Sequence, residues 1–181
     1  MSLTAGDVYE ALERKYSDPW LILPEVRYAT GYKNYGTQGG TVDYRDIEKR
    51  IDAFAIHPWP SQNWKTIAFE IKVSRSDFLN ELKQPEKRAP WYRWAQEFYF
   101  VLANGVVKSE SEIPEECGYM IVWESGIVQV KRKAPVREVE QPTWSFLASC
   151  LRSGMAHKSQ LVREKDYLNS KLEEIRKGQG L

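Results

Sequence analysis

The most constraining feature of this chain is a pair of strand-like runs that carry charged residues inside otherwise apolar stretches. The first run is 50–56, RIDAFAI, and the second is 66–73, TIAFEIKV. Because strand side chains alternate between two faces, Glu70 and Lys72 share one face, and Asp52 joins them if the two strands are neighbours. Burial of an ionised carboxylate costs on the order of several kcal/mol unless it is compensated. A bound divalent metal ion would provide that compensation.

The overall charge and the hydropathy pattern restrict the function classes. The 181 residues suit one domain with one core. The chain has 26 Lys and Arg and 25 Asp and Glu, so its net charge does not attract a nucleic acid or a membrane. Nucleic-acid binding therefore needs a local patch. No apolar run approaches the roughly 20 residues of a membrane span, and no secretory pattern begins the chain. We therefore expect a cytoplasmic protein that does not contact a membrane.

Cys117 and Cys150 are the only cysteines, and neither lies in a CxxC or Cys/His spacing. The pattern does not indicate structural zinc or Cys/His catalysis. We expect two buried thiols in a reducing compartment, with a single disulfide as the alternative.

The remaining pattern predicts an α/β fold with a mixed central β-sheet flanked by helices. Capping signals and apolar periodicity indicate most of its boundaries. The predicted elements are a helix over 6–16, a strand over 20–28 bent at Pro24, the two charged strands, a helix from Ser74 to about Lys83, a break at Pro85 and Pro90, a doubly buried strand over 98–102, a hairpin of 119–123 and 127–131, and helices over 144–151 and 156–177.

The charged residues of the two runs have the chemistry of a phosphodiester-hydrolysing site. Asp52 and Glu70 are hard oxygen ligands of the type that Mg²⁺ or Mn²⁺ selects, and the backbone carbonyl of Ile71 could add a third. The Lys72 ammonium, on the same face as Glu70, can stabilise charge that builds on a phosphate. The non-catalytic alternative is a solvent-facing ion pair between Glu70 and Lys72, which contributes only about 0–1 kcal/mol to stability.

The same residues resemble a known group of enzymes. The segment 50–53, RIDA, followed at hairpin distance by 69–78, FEIKVSRSDF, resembles the PD-(D/E)xK nuclease superfamily and looks like its MmcB-like branch of bacterial and phage proteins. The resemblance extends over 23–26, 98–101 and 113–118, and it covers the chain to about Arg152. Ile51 stands where the superfamily often has a variable Pro.

This resemblance implies a restriction-endonuclease-like domain over 1–152 and a charged helical extension over 153–181. It implies a Mg²⁺- or Mn²⁺-dependent DNA endonuclease without a nucleotide cofactor, active in DNA repair, recombination or phage DNA metabolism, with RNA not excluded as a substrate. Asp52 and Glu70 would be metal ligands and Lys72 the catalytic lysine. A further acidic ligand often completes such sites, with Glu25 as first choice and Glu10 in reserve. The alternative is a catalytically weak nuclease-fold module that binds DNA or a partner protein.

Cations and aromatic residues alternate after the second charged strand, over 81–94. Such interleaving is typical of nucleic-acid grooves, although an ordinary solvated face over a core of Tyr92 and Trp94 is about equally consistent with it. The loop 31–50 is a second candidate wall of the groove. The predicted phosphate contacts are Lys83, Lys87, Arg88 and Arg93, with Arg50 and Arg75 as further candidates.

The C-terminal segment carries a narrow apolar seam on a charged helix. Leu161, Leu168 and Ile175 lie seven residues apart, with Leu172 between them. Such a seam fits a helix that packs along the domain, and it also fits a coiled coil in a homodimer. The sequence favours the first interpretation because sustained coiled coils normally need three or more heptads.

Overall fold

The first helix of the chain, α1 (Ala5–Lys15), begins at the predicted capping box. The Thr4 hydroxyl accepts a hydrogen bond from the Asp7 amide at 3.2 Å, and the Asp7 carboxylate accepts one from the Thr4 amide at 2.7 Å. These two bonds satisfy amide groups that a helix leaves without partners at its N-terminus. The buried side chains of Val8 and Leu12 then anchor α1 against the sheet.

This computed structural model describes residues 3–28 and 49–178 of the protein. Part of the predicted 31–50 loop lies outside the described residues. The later elements, in chain order, are β1 (Leu21–Arg27), β2 (Arg50–Ile56), β3 (Thr66–Lys72), α2 (Arg75–Leu82), α3 (Pro85–Arg88), β4 (Glu97–Ala103), β5 (Gly118–Val122), β6 (Val128–Arg132) and α4 (Trp144–Gly178). Three short 3-10 turns, Pro60–Gln62, Ala89–Arg93 and Glu110–Glu112, connect them.

The strands form one six-stranded mixed sheet in the order β1-β2-β3-β4-β5-β6. Strand β2 runs antiparallel to both of its neighbours, β1 and β3. Strands β4 and β5 run parallel to β3, and β6 returns antiparallel to β5. The predicted single core is divided by the sheet into two layers. One layer lies under α1, and the other packs against α2, the segment after it and the start of α4.

Most of the predicted elements are present within a residue or two of the expected bounds. Strand β4 is buried at every position, as its continuous apolar run indicates. The predicted break at Pro85 is present: α2 ends at Leu82, and Pro85 is the first residue of a separate short helix, α3, a position where the missing amide hydrogen costs no helical bond. Cys117 and Cys150 are both buried free thiols, so the disulfide alternative is wrong.

Strand β5 begins at a glycine for a steric reason. A Cβ atom at Gly118 would lie 2.5 Å from the Ala134 amide nitrogen and would also overlap the ring of Tyr99. The backbone of β5 therefore approaches its neighbours more closely than any side chain permits.

The Gly118→Ala variant is expected to lower the free energy of unfolding by about 1–3 kcal/mol, because the added methyl group overpacks this contact. Urea unfolding followed by tryptophan fluorescence measures the change. Gly6→Ala is the matched control, because its added Cβ would meet the Thr4 hydroxyl at an ordinary 3.6 Å. Equal stability of the two variants would contradict the assignment.

The two predicted C-terminal helices are one continuous helix, α4, which crosses the predicted boundary at 152 and 153. Its first part packs on the domain through Phe146, Cys150 and Ser153. From Lys158 to Arg176 every side chain is exposed, so the expectation that the charged helix packs along the domain is wrong for this part. Among the described helices, none has both the length and the apolar composition needed to cross a bilayer.

Candidate active site

The predicted acidic residues of the two charged strands meet where β2 and β3 separate. The paired register of these strands ends at Ala53 and Phe69. One residue further, the Asp52 carboxylate accepts a hydrogen bond from the Ile71 amide at 2.8 Å. The side chain thus satisfies the backbone donor that the ladder leaves free, and this bond fixes the orientation of Asp52 beside Glu70.

Lys72 lies at the centre of the site and is shared by two carboxylates. Its ammonium forms an ion pair with Glu70 on the same strand and lies 3.7 Å from a carboxylate oxygen of Glu81. The side chains of Lys72, Glu70 and Glu81 are only 15%, 12% and 8% exposed, so the alternative of a solvent-facing ion pair is wrong. Glu70, Glu81 and Asp52 therefore surround one lysine.

Helix α2 brings Glu81 to the site. Its N-cap, Ser74, follows β3 almost directly and accepts a hydrogen bond from the Asp77 amide at 3.2 Å. Phe78 packs edge-on against Phe100 in the core, and Glu81 lies three residues later on the same buried side of the helix. None of the sequence motifs singles out Glu81 as a site residue. Its position one turn after a buried aromatic residue is the signal that could have found it.

Electrostatics make this cluster costly without a further cation. Burial, followed by the charge of Asp52, raises the pKa of Glu70 to about 8. Burial also raises the pKa of Asp52, although the charge of Lys72 opposes that shift. For Lys72, burial favours the neutral amine, but Glu70, Asp52 and Glu81 together raise its pKa. The lysine stays charged, and near neutral pH the cluster avoids repulsion between its carboxylates by keeping Glu70 protonated.

Two cavities of comparable size border the site, and Asp52 and Lys72 line both. The first, of about 840 Å³, opens beside Glu70 and Glu81; we call it the basic cleft. The second, of about 850 Å³, lies between α1, β1 and α4. The cations of the basic cleft are Arg27, Lys49, Arg50, Lys87 and Arg88, and Trp91 lies among them.

Both candidates for a further acidic ligand, Glu25 and Glu10, line the second cavity together with Asp52. Glu25 has φ +50°, a conformation that non-glycine residues rarely adopt inside a strand. Its carboxylate lies 3.3 Å from Arg50, and that of Glu10 lies 3.8 Å from Arg14 at an exposed position. Each of the two carboxylates therefore has an arginine as its ion-pair partner.

The predicted phosphate-contacting cations lie in different surroundings. Arg50, Lys87 and Arg88 line the basic cleft, where Arg88 is only 3% exposed and donates to the Glu81 carbonyl at 3.0 Å. Lys83 is exposed at the C-terminal end of α2.

Two of the predicted phosphate-contacting arginines bind other residues of the same chain. Arg75 donates two 2.6 Å hydrogen bonds to Glu112 and one of 3.0 Å to the Val106 carbonyl. Arg93 binds Glu140 and donates to the Tyr28 hydroxyl at 2.9 Å. These contacts tie distant segments of the chain together, so both arginines have structural roles.

The donor set of the site fits a hard divalent cation held by few protein ligands. Within residues 3–28 and 49–178, no group of three or more His, Cys, Asp and Glu side chains is arranged to hold a metal ion. Mg²⁺ is commonly held by only one or two carboxylates, completed by waters and substrate oxygens. Asp52 and Glu70 supply such a pair, and a cation bound between them would offset the burial and repulsion that raise the pKa of Glu70.

Comparisons with protein-family models, with curated proteins and with solved structures find no match to this chain. The site itself therefore carries the functional argument.

Proposed function

We propose that this protein is a metal-dependent nuclease of the PD-(D/E)xK type that hydrolyses DNA phosphodiester bonds. The observation that carries the proposal is the meeting of Asp52, Glu70 and Lys72 in a largely buried cluster at the edge of a cationic cleft. An acidic pair with one lysine is the chemistry that the resemblance implies for these positions. The mixed sheet flanked by helices agrees with the fold that it implies.

Asp52 and Glu70 would hold Mg²⁺ or Mn²⁺. The bound cation would supply charge neutralisation at the phosphate and a more acidic water. The hydrogen bond from the Ile71 amide to Asp52 occupies one carboxylate oxygen and leaves the other for the ion. Because no third carboxylate is arranged for binding in the described part of the chain, solvent and substrate oxygens would complete the coordination.

Lys72 would stabilise the negative charge that develops on the scissile phosphate. In the present arrangement its ammonium is bound to Glu70. If Glu70 held a cation instead, Glu81, whose carboxylate lies 3.7 Å from the lysine ammonium in this structure, would still hold Lys72. Glu81 therefore acts in this proposal as a positioning residue for Lys72.

The basic cleft would bind the nucleic-acid backbone. Its cations include Arg27, Arg50 and Lys87, and they lie beside the acidic cluster in one cavity. Lysine and arginine neutralise phosphates without reading sequence, so this surface positions DNA and RNA alike. The cleft thus provides the local patch of positive charge that nucleic-acid binding needs in a chain of nearly balanced charge.

The experiment that tests the proposal incubates the purified protein with linear, nicked, branched and single-stranded DNA and with RNA. Cleavage is expected with Mn²⁺ or Mg²⁺ and not with a chelator. Asp52→Asn, purified identically, is the control for contaminating nucleases, because it keeps the size of the side chain and removes its charge. Cleavage by this variant at the wild-type rate would refute the proposed site.

A nuclease-fold module that binds DNA or a partner protein with negligible turnover is the second candidate. It is favoured by the ion pair that occupies Glu70 and Lys72. In the same experiment it predicts retained mobility shifts of DNA without any cleavage product, whatever divalent cation is added.

A further inference from the structure

In the described part of the chain, the hydrogen bonds and ion pairs of the second half of α4 lie within the helix itself. Beyond His157, whose imidazole Nε2 lies 2.8 Å from Glu13 on α1, the helix borders the second cavity through Gln160, Leu161, Arg163 and Glu164 but does not pack on the domain. Every side chain from Lys158 to Arg176 is exposed, and this stretch is about 28 Å long at the rise of an α-helix. We call it the projecting helix. Most helical stability in proteins comes from packing of an apolar face, so packing against another surface would stabilise it.

Four aliphatic residues of the projecting helix form one seam. Leu161, Leu168, Leu172 and Ile175 are 49–60% exposed, and their spacing of seven, four and three residues is that of a heptad. Leu161, Leu168 and Ile175 take the d positions, and Leu172 takes an a position. Lysine at the other a positions, 158 and 165, can extend its ammonium to solvent while its methylenes cover the seam. Such a seam fits one further helix.

Charge complementarity identifies both the partner and its direction. The positions that flank the seam carry Glu164 and Lys171 on one side, and Asn169 and Arg176 on the other. In a parallel pair of copies, Lys171 would face Arg176 of the second copy, which is repulsive. In an antiparallel pair, Glu164 faces Lys171 of the second copy, and the symmetry of the pair repeats this contact.

Placing Glu164 opposite Lys171 in the antiparallel pair puts Leu161 against Leu172 of the second copy. It also puts Lys165 against Leu168 and Lys158 against Ile175, where the lysine methylenes can cover the apolar side chains. A shift by one heptad in either direction places Glu164 against Glu164 or Lys171 against Lys171. A single register therefore satisfies both the charges and the seam.

We propose that the projecting helix binds a second copy of this chain as an antiparallel two-stranded coiled coil, centred between Asp166 and Tyr167. The two folded domains then lie at opposite ends of the overlap. The pairing is independent of the proposed nuclease activity, because no residue of the acidic cluster takes part in it.

Sedimentation equilibrium of the full chain over a range of concentrations tests the pairing. The expected result is a reversible shift from 21.1 kDa to twice that mass. Leu161→Ser is expected to abolish the shift, because it removes two apolar contacts per dimer. The matched control is Val136→Ser, which replaces an exposed apolar residue outside α4 and should leave the shift unchanged.

Charge exchange tests the direction. Glu164→Lys and Lys171→Glu should each weaken the dimer by about tenfold, because each replaces two attractive contacts by two repulsive ones. The double variant should restore the wild-type dissociation constant. Far-UV circular dichroism verifies that each variant keeps its helix. A monomer at all concentrations, a dimer that survives Leu161→Ser, or a double variant that is no tighter than the single ones would overturn the proposal.

Discussion

Replacing Lys72 by methionine is expected to lower the rate of metal-dependent DNA cleavage by about a hundredfold to a thousandfold. The methionine keeps most of the side-chain volume and removes the positive charge that would act on the phosphate. Asp52 and Glu70, the proposed metal ligands, remain. Single-turnover cleavage measures the rate, and calorimetric titration with Mn²⁺ measures metal binding, which should persist.

Two further variants make this expectation specific. Lys131→Met changes an exposed lysine on β6, which is not among the residues that line the basic cleft, and it should leave the rate unchanged. Glu81→Gln should lower the rate less than Lys72→Met does, because it weakens only the positioning of the lysine. An unchanged rate in Lys72→Met would show that the lysine has no catalytic role.

Replacing Glu70 by glutamine is expected to stabilise the metal-free protein at pH 8 by a few kcal/mol while removing cleavage. The folded protein raises the pKa of Glu70 from 4.5 to about 8, chiefly through burial. Between these pH values the folded state holds a proton that the unfolded state has released, so stability falls as the pH rises through this window. The shift corresponds to roughly 5 kcal/mol at most. A neutral glutamine does not titrate and removes this loss.

Urea unfolding at pH 5, 6.5, 8 and 9 in chelator measures the difference. The variant and the wild type should be close in stability at pH 5 and diverge as the pH rises. Glu138→Gln, at an exposed position, is the matched control and should follow the wild type throughout. Adding Mg²⁺ at pH 8 should stabilise the wild type more than Glu70→Gln, because a ligand that binds only the folded state favours it. Parallel pH profiles for all three proteins would contradict the assigned burial cost.

The local pattern of the sequence was sufficient to predict the frame of the site. The alternation of apolar and charged residues in RIDAFAI and TIAFEIK predicts both strands and assigns Glu70 and Lys72 to one face. The capping residues Thr4 and Ser74 mark the starts of α1 and α2. These features are encoded within a few residues, because side-chain periodicity and capping depend only on near neighbours along the chain.

The partners of individual charges were decided by the tertiary structure. Glu81 joins the site because Phe78 docks α2 against β4, and Arg75 is bound by Glu112 from a turn 37 residues away. Likewise, the projecting helix is exposed because the folded domain does not extend along the second half of α4. Each of these outcomes depends on which distant elements pack together. Periodicity reveals that a face is apolar or charged, but the identity of its neighbour emerges only when the whole chain has folded.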